Sequence, residues 1–415
     1  MVAASGRLGT RWARQALLVA LALGSGVGAY WSARLAYAEL LYGRGTPESV
    51  ERAAGLVPGN AQYARRKAEL AEAAGPNPAK AERALEAVLR ARPHDSEALI
   101  ALGLRAEARG DFAAAERDLL EAAGHDRGYD PRWSLANYYF RREDGRSFWK
   151  WARAACEIAY EPTPLFRLLW NRTDDAAEIL NRAIPDSPEI QRQYLAFLMD
   201  GPRWESAGGV AKRILERPEV QDVPLLMAYC DRLLAAKRGQ GALDLWNALG
   251  RRGLIAFGQA EPEHGPVNGA FRTPPGGSGF DWRIAPVEGI ETAQDAPGLR
   301  LTFSGDEPEA WEPLWQYVVL KGGTRYRMTF QYSSSGVEQG SGLRWRVVDI
   351  TGDDPEVAAE SEELVHEGWG DGSVAFTTPA GMSLGRLVLS YRRAPGTTRI
   401  QGSVRLRSIA LGMAE

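Results

Sequence analysis

Cysteine is almost missing from this chain: two residues, Cys156 and Cys230, in 415. Both sit in apolar helical patterns, "RAACEIAY" and "LLMAYCDRLL". A disulfide framework needs more cysteines, and without a C-x-x-C no zinc-binding spacing exists. Two readings of the pair stay open. They are small buried hydrophobes, or they are bridged if the region lies outside the cytoplasm. Histidine is scarce too. His94, His125, His264 and His366 have no second His or Cys at ligand spacing, so each reads as a surface side chain and no metal site is expected.

Excess positive charge is also lacking. The formal net charge is −3, which gives no field for nucleic acid. Motifs of catalysis are missing as well. The glycines at 276–279 are not followed by Lys-Ser/Thr, so they form no phosphate loop. There is no H-E-x-x-H, no G-x-S-x-G, and no histidine near a Ser or Cys nucleophile. No catalytic residue and no cofactor are therefore expected. The remote enzyme reading, a carbohydrate-active one, needs a carboxylate pair, and nothing singles out two among 53 acidic residues.

What is present begins with an apolar run. Residues 16–33, "ALLVALALGSGVGAYWSA", carry no charge. As a helix they reach about 27 Å, close to a bilayer's hydrocarbon thickness of roughly 30 Å. Arg7, Arg11 and Arg14 precede the run, and Tyr30 and Trp31 suit an interfacial belt. This predicts a single-pass anchor in the inner (cytoplasmic) membrane. Residues 1–15 would be a basic cytoplasmic tail and the rest of the chain periplasmic or otherwise extracytoplasmic. The rival is a cleaved signal peptide with Ala36-Tyr37-Ala38 as its site. A plain buried helix is disfavoured by Gly24, Gly26 and Gly28.

Residues 46–255 read as helices with an internal repeat. "AKAERALEAVLRARP" (79–93) aligns with "AAAERDLLEAAGHDR" (113–127) at an offset of 34 residues. Leu102-Gly103, Ala106, Ala115, Leu119 and Ala122 resemble the tetratricopeptide repeat pattern. Gly103 and Ala115 would let two helices approach closely, with Gly110-Asp111 in the turn between them. The resemblance implies stacked helical hairpins in an α-solenoid that binds protein partners. Trp133, Tyr138, Tyr139, Phe140, Phe148, Trp149 and Trp151 read either as its core or as anchors in a concave groove.

From about 257 to 415 the period changes to two. In "TRYRMTFQY" (324–332), Tyr326, Met328, Phe330 and Tyr332 share one face. Further strands are "FDWRI", "GLRLTFSG", "WQYVVLK", "LRWRVVDI", "GSVAFTTP", "RLVLSYRR" and "SVRLRSIAL". Gly322-Gly323 reads as a hairpin turn between "WQYVVLK" and residue 324. The pattern predicts an antiparallel β-sandwich.

An opening Asn-Gly-x-Phe (Asn268–Phe271), then Phe280-x-Trp282, then "VVLKGGTRYRMTFQY" and the closing strands are similar to jelly-roll carbohydrate-binding modules. That resemblance implies glycan binding. Such modules often carry a Glu after the opening motif and acidic residues entering the last strand, near a structural calcium. Arg272 and Gly402-Ser403 stand there instead, so no calcium site is carried over.

Trp311, Trp315 and Trp369 lie in loop-like stretches. They read as platforms for pyranose rings or as packing at the edge of the core; Trp282 and Trp345 read as core. Arg325, Arg327, Arg344, Arg346, Arg405 and Arg407 recur at strand spacing. They would form one cationic face for an acidic glycan, or pair across strands with acids such as those of "EVAAESEELVHE".

The fold class is therefore multidomain α plus β: transmembrane helix, tetratricopeptide-like solenoid, jelly-roll sandwich. The expected function is a non-enzymatic membrane-anchored scaffold of the bacterial cell envelope, with protein and polysaccharide partners, in polysaccharide assembly or export. The alternative makes the sandwich a structural or protein-binding cap with no sugar affinity.

Overall fold

A computed structural model describes residues 6–73, 78–261, 264–295 and 298–414. The chain divides into two compact units, Met1–Ile190 and Gln191–Glu415.

The first unit is helical. α1 (Gly6–Gly43) is 38 residues long, and its stretch Gln15–Gly43 is long and apolar enough to cross a membrane. Leu17, Leu21, Val27 and Tyr30 are exposed along it. Of the basic tail expected over 1–15, residues 1–5 lie outside the described residues. The last turns of α1 behave differently. Ala38 and Leu41 are buried with Ala53 and Tyr63, and Arg34 Nε donates to the Leu56 carbonyl at 2.8 Å.

The helices that follow are α2 (Pro47–Leu56), α3 (Ala61–Ala73), α4 (Pro78–Ala91), α5 (Ser96–Ala108), α6 (Phe112–His125), α7 (Tyr129–Arg141), α8 (Gly145–Cys156), α9 (Thr163–Arg172) and α10 (Ala176–Arg182). Their starts are written in the sequence. Asp95, Asp111, Asp144 and Asp175 each accept a hydrogen bond from a first-turn amide, satisfying donors that no helical carbonyl reaches. Gly103 lets α5 close on α6 as expected. A Cβ there would stand 3.0 Å from Leu119 Cγ and 3.2 Å from the Ala115 carbonyl oxygen. The turn glycine Gly110 has φ +84°, which a side chain would resist. Tyr138, Tyr139, Phe148 and Trp149 are buried, so that part of the aromatic cluster is core.

α11 (Pro188–Met199) spans the division, and the second unit continues with α12 (Gly208–Glu216), α13 (Val223–Ala235) and α14 (Gly239–Arg251). The strands are β1 (His264–Gly265), β2 (Arg283–Ile284), β3 (Ile290–Gln294), β4 (Leu299–Phe303), β5 (Ala310–Val319), β6 (Arg325–Ser335), β7 (Leu343–Asp349), β8 (Glu356–Glu360), β9 (Gly370–Thr377), β10 (Leu384–Arg392) and β11 (Gly402–Met413). They form two antiparallel sheets. One runs β3-β4-β11-β6-β9 with β1 also on β11; the other runs β2-β5-β10-β7-β8. Between them lies an aromatic core including Phe271, Trp282, Phe303, Tyr326, Trp345 and Tyr391. On β6 the expected alternation holds: Tyr326, Met328, Phe330 and Tyr332 are buried while Arg325 and Arg327 face solvent.

The opening motif is a turn pinned to the last strand. The Ile409 amide donates to the Gly269 carbonyl at 2.8 Å, and a Cβ on Gly269 would stand 2.2 Å from the Ile409 oxygen. This sets Phe271 beside Trp282, ring centroids 5.3 Å apart.

Two expectations need correction. Gly322-Gly323 is not a hairpin turn, because β5 and β6 belong to different sheets. The two glycines carry the chain from one sheet to the other, past the Ala380 carbonyl, from which a Cβ on Gly322 would be 2.1 Å away. Trp311 and Trp315 are not on loops, since β5 starts at Ala310. Pro313 lies near the register shift between Leu389 and Tyr391, and a missing ladder donor is tolerated at such an irregularity. Of the two readings left open for the cysteines, the buried, unbridged one holds: both are free and buried.

The boundary expected near residue 256 falls inside the second unit, where the helices join the sandwich. Trp246 of α14 is buried against Phe257, at 5.9 Å, and Phe280, at 6.0 Å. Asp231 of α13 accepts from the Gly279 amide at 2.7 Å and from Arg283 at 2.5 Å.

Candidate functional site

The outward face of the β2-β5-β10-β7-β8 sheet gathers part of the expected set. Strand pairing aligns Arg283 with Trp315, Trp315 with Val388, Val388 with Arg346, and Arg346 with Glu360. At one end of this face a cavity of about 380 Å³ is lined by Ala285, Trp311, Glu312, Trp315, Arg346 and Arg392, among others. Ser390 and Tyr391 border it at the bulge in β10.

The two tryptophans differ in availability. Trp315 carries guanidinium groups from both neighbouring strands, Arg283 at 4.9 Å and Arg386 at 5.2 Å from its ring centroid. These are cation–π contacts, and they occupy the surface a sugar would stack on. Trp311 is held by its indole N–H, which donates to the Ala285 carbonyl at 2.9 Å. Its half-buried ring lines the cavity.

The charges are mostly matched. Arg386 faces Glu312 at 3.5 Å, Arg346 faces Glu360 at 2.7 Å, and Arg344 pairs with Glu360 and with Glu363. Burial alone would raise the Glu360 pKa, but the hydrogen bonds from Arg344 and Arg346 outweigh it and hold the carboxyl below its ordinary value. Arg392 is exposed and has no acid partner among the described residues.

The remaining expected residues are not brought to this site. Arg325 and Arg327 on β6, with Arg405 and Arg407 on β11, belong to the other sheet. The single cationic face is therefore split: a spacing of two tells which side of a strand a residue takes, not which sheet the strand joins. Arg405 lies 3.2 Å from Asp295. Trp369 is in a loop as expected and 39% exposed, but the Arg407 guanidinium covers it at 4.3 Å.

Arg283, Arg386 and Arg392 were not singled out by the sequence. Arg283 links Trp315 to Asp231 on α13, a contact across 52 positions that leaves no local signal.

No protein-family model matches the chain, and no curated protein matches it. Among solved structures, a module described as CBM4 is 13% identical, covering 35% of this chain and 98% of its own, with TM-score 0.29. A CBM61 module in complex with β-1,4-galactotriose is 18% identical over 35% of this chain and 96% of its own, with TM-score 0.25. The tetratricopeptide repeat protein YrrB, described as having an unusual peptide-binding site, is 12% identical over 49% of this chain and 92% of its own, with TM-score 0.26.

Proposed function

We propose that this chain is a non-enzymatic scaffold of the bacterial cell envelope, anchored in the inner membrane with its N-terminus inside. The helical repeats take protein partners and the sandwich takes a glycan, in the assembly or export of a polysaccharide. The observation that carries the glycan part is the cavity of about 380 Å³ beside Trp311. Its size falls in the ligand-pocket range of about 300–1,000 Å³. It offers an aromatic ring together with Ser390, Glu312 and Arg392, groups suited to hydroxyls and to a carboxylate. Retention of the anchor is supported by packing: cleavage after Ala38 would strip away the Arg34 bond to Leu56 and the buried contact of Ala38.

The test is tryptophan fluorescence of the full chain against neutral and acidic polysaccharides. A saturable shift is expected with at least one, lost in Trp311→Ala and weakened in Arg392→Gln. Silence across the whole panel would remove the glycan from the account.

A second reading, the sandwich as a structural cap, is favoured by the contacts of Trp246 and Asp231 with Phe280, Gly279 and Arg283. Under it Trp311→Ala changes no binding property, and Asp231→Ala lowers stability.

A further inference from the structure

Two of the chain's four histidines meet in the first unit. His94 follows Pro93 in the turn between α4 and α5, and His125 is the last residue of α6. Their rings are stacked with centroids 3.7 Å apart and planes at 25°. Glu121 lies one turn before His125 on α6, and the i, i+4 spacing puts both on one face. Ligand atoms of all three side chains fall within 4.8 Å of one another. Among the described residues none of the three is engaged in a hydrogen bond or an ion pair.

We propose that His94, Glu121 and His125 form a binding site for a divalent transition metal of the zinc and nickel class. Two imidazoles and one carboxylate suit such ions, whereas calcium and magnesium take oxygen ligands. Three protein ligands leave a coordination position open to water or to a side chain from a partner. That position is reachable, because the three residues are exposed and His94 borders a groove of about 460 Å³ lined also by Arg65, Arg92 and Glu97. With metal–nitrogen bonds of about 2.0–2.1 Å, the ring planes must open from their stacked arrangement so that the lone pairs converge. The outer torsion of histidine is broad and soft, so exposed rings make this rotation at small cost.

Such an ion would tie neighbouring helical hairpins together. The junction is already bridged once, where Ser96 Oγ donates to Asp126 at 2.8 Å, one residue beyond His125. A metal on His94 and His125 adds a second tie between the same segments, so binding raises the stability of the helical unit.

The experiment is calorimetric titration of the untagged full chain in detergent with zinc chloride and nickel chloride, paired with electron paramagnetic resonance of the copper(II) form. One equivalent is expected to bind, with copper hyperfine structure from two nitrogens. His94→Asn or His125→Asn should each weaken binding at least about tenfold and leave one nitrogen. Glu121→Gln should weaken it less, and the double variant His264→Asn/His366→Asn should bind as the parent does. A copper spectrum without two nitrogen ligands in the parent chain overturns the proposal. So does saturable binding that survives loss of both His94 and His125.

Discussion

Helices α2 to α6 and the sandwich solve one problem, excluding water from a core, with opposite side chains. The buried positions of α2 to α6 are largely alanine: Ala53, Ala61, Ala68, Ala81, Ala98, Ala106, Ala115 and Ala122. Those of the sandwich include Phe271, Trp282, Tyr326, Trp345 and Tyr391. Helices pack about 8–10 Å apart between axes, each already carrying a backbone cylinder about 2.3 Å in radius, so small residues fill the gap. Sheets stack about 10 Å apart with thin backbones, so the space between them must be filled by large side chains. The lesson is that these two regions should fail in opposite ways, the sandwich on truncation and helices α2 to α6 on enlargement.

The largest expected effect is therefore a truncation. Trp282 is fully buried, packs on Phe271 and Trp345, and donates its indole N–H to the Asn268 carbonyl at 3.2 Å. Trp282→Ala should cost about 3–5 kcal/mol, read as lost hydrogen-exchange protection in the strands. Next comes Gly279→Val. Gly279 has φ +55°, and a Cβ there would stand 2.3 Å from Trp246. Backbone strain and overpacking together should cost about 2–5 kcal/mol. A neutral result would mean that α14 is not seated on the sandwich.

The opposite failure belongs to the helices. Gly103→Leu drives a side chain into Leu119 and the Ala115 carbonyl and should cost about 1–3 kcal/mol, seen as lost protection in α5 and α6. Enlargement tolerated at Gly103 would break the contrast between these helices and the sandwich.

Much of this was legible in the sequence, and the boundary of legibility has physical causes. Gly103 and Ala115 could be read because a close helix crossing imposes a periodic demand on residues near each other in the chain. Tyr326 to Tyr332 could be read because one solvated sheet face imposes alternation. Both are local rules. The sheet that each strand joins is set by pairing between distant segments, which is why Arg344 and Arg346 parted from Arg325, Arg327, Arg405 and Arg407. The same holds for the juxtaposition of His94 with His125 and of Asp231 with Arg283. A helix's apolar face shows that it is covered but not by what, so the seating of α13 and α14 on the sandwich could not be read. Within the candidate site, Trp311 and Trp315 could be named, and the guanidinium cover over Trp315 could not.

The smallest effect separates the two faces of the sandwich by charge. Glu360 holds Arg344 and Arg346 on one sheet, while Arg325 and Arg327 on the other have no acid partner among the described residues. Because the folded Glu360 carboxyl titrates below its ordinary value, the unfolded chain takes up its proton first as pH falls. The stabilisation is thus fully present above the ordinary glutamate value of about 4.3 and is lost as pH drops through the lower, folded one. Glu360→Gln should leave a shallower acid limb in a plot of sandwich stability against pH, converging with the parent at low pH. Replacing Arg325 by Gln should leave that limb as it was, because no carboxylate depends on it. An equal response to both substitutions would mean that the acid limb reports overall charge and not the pairing built around Glu360.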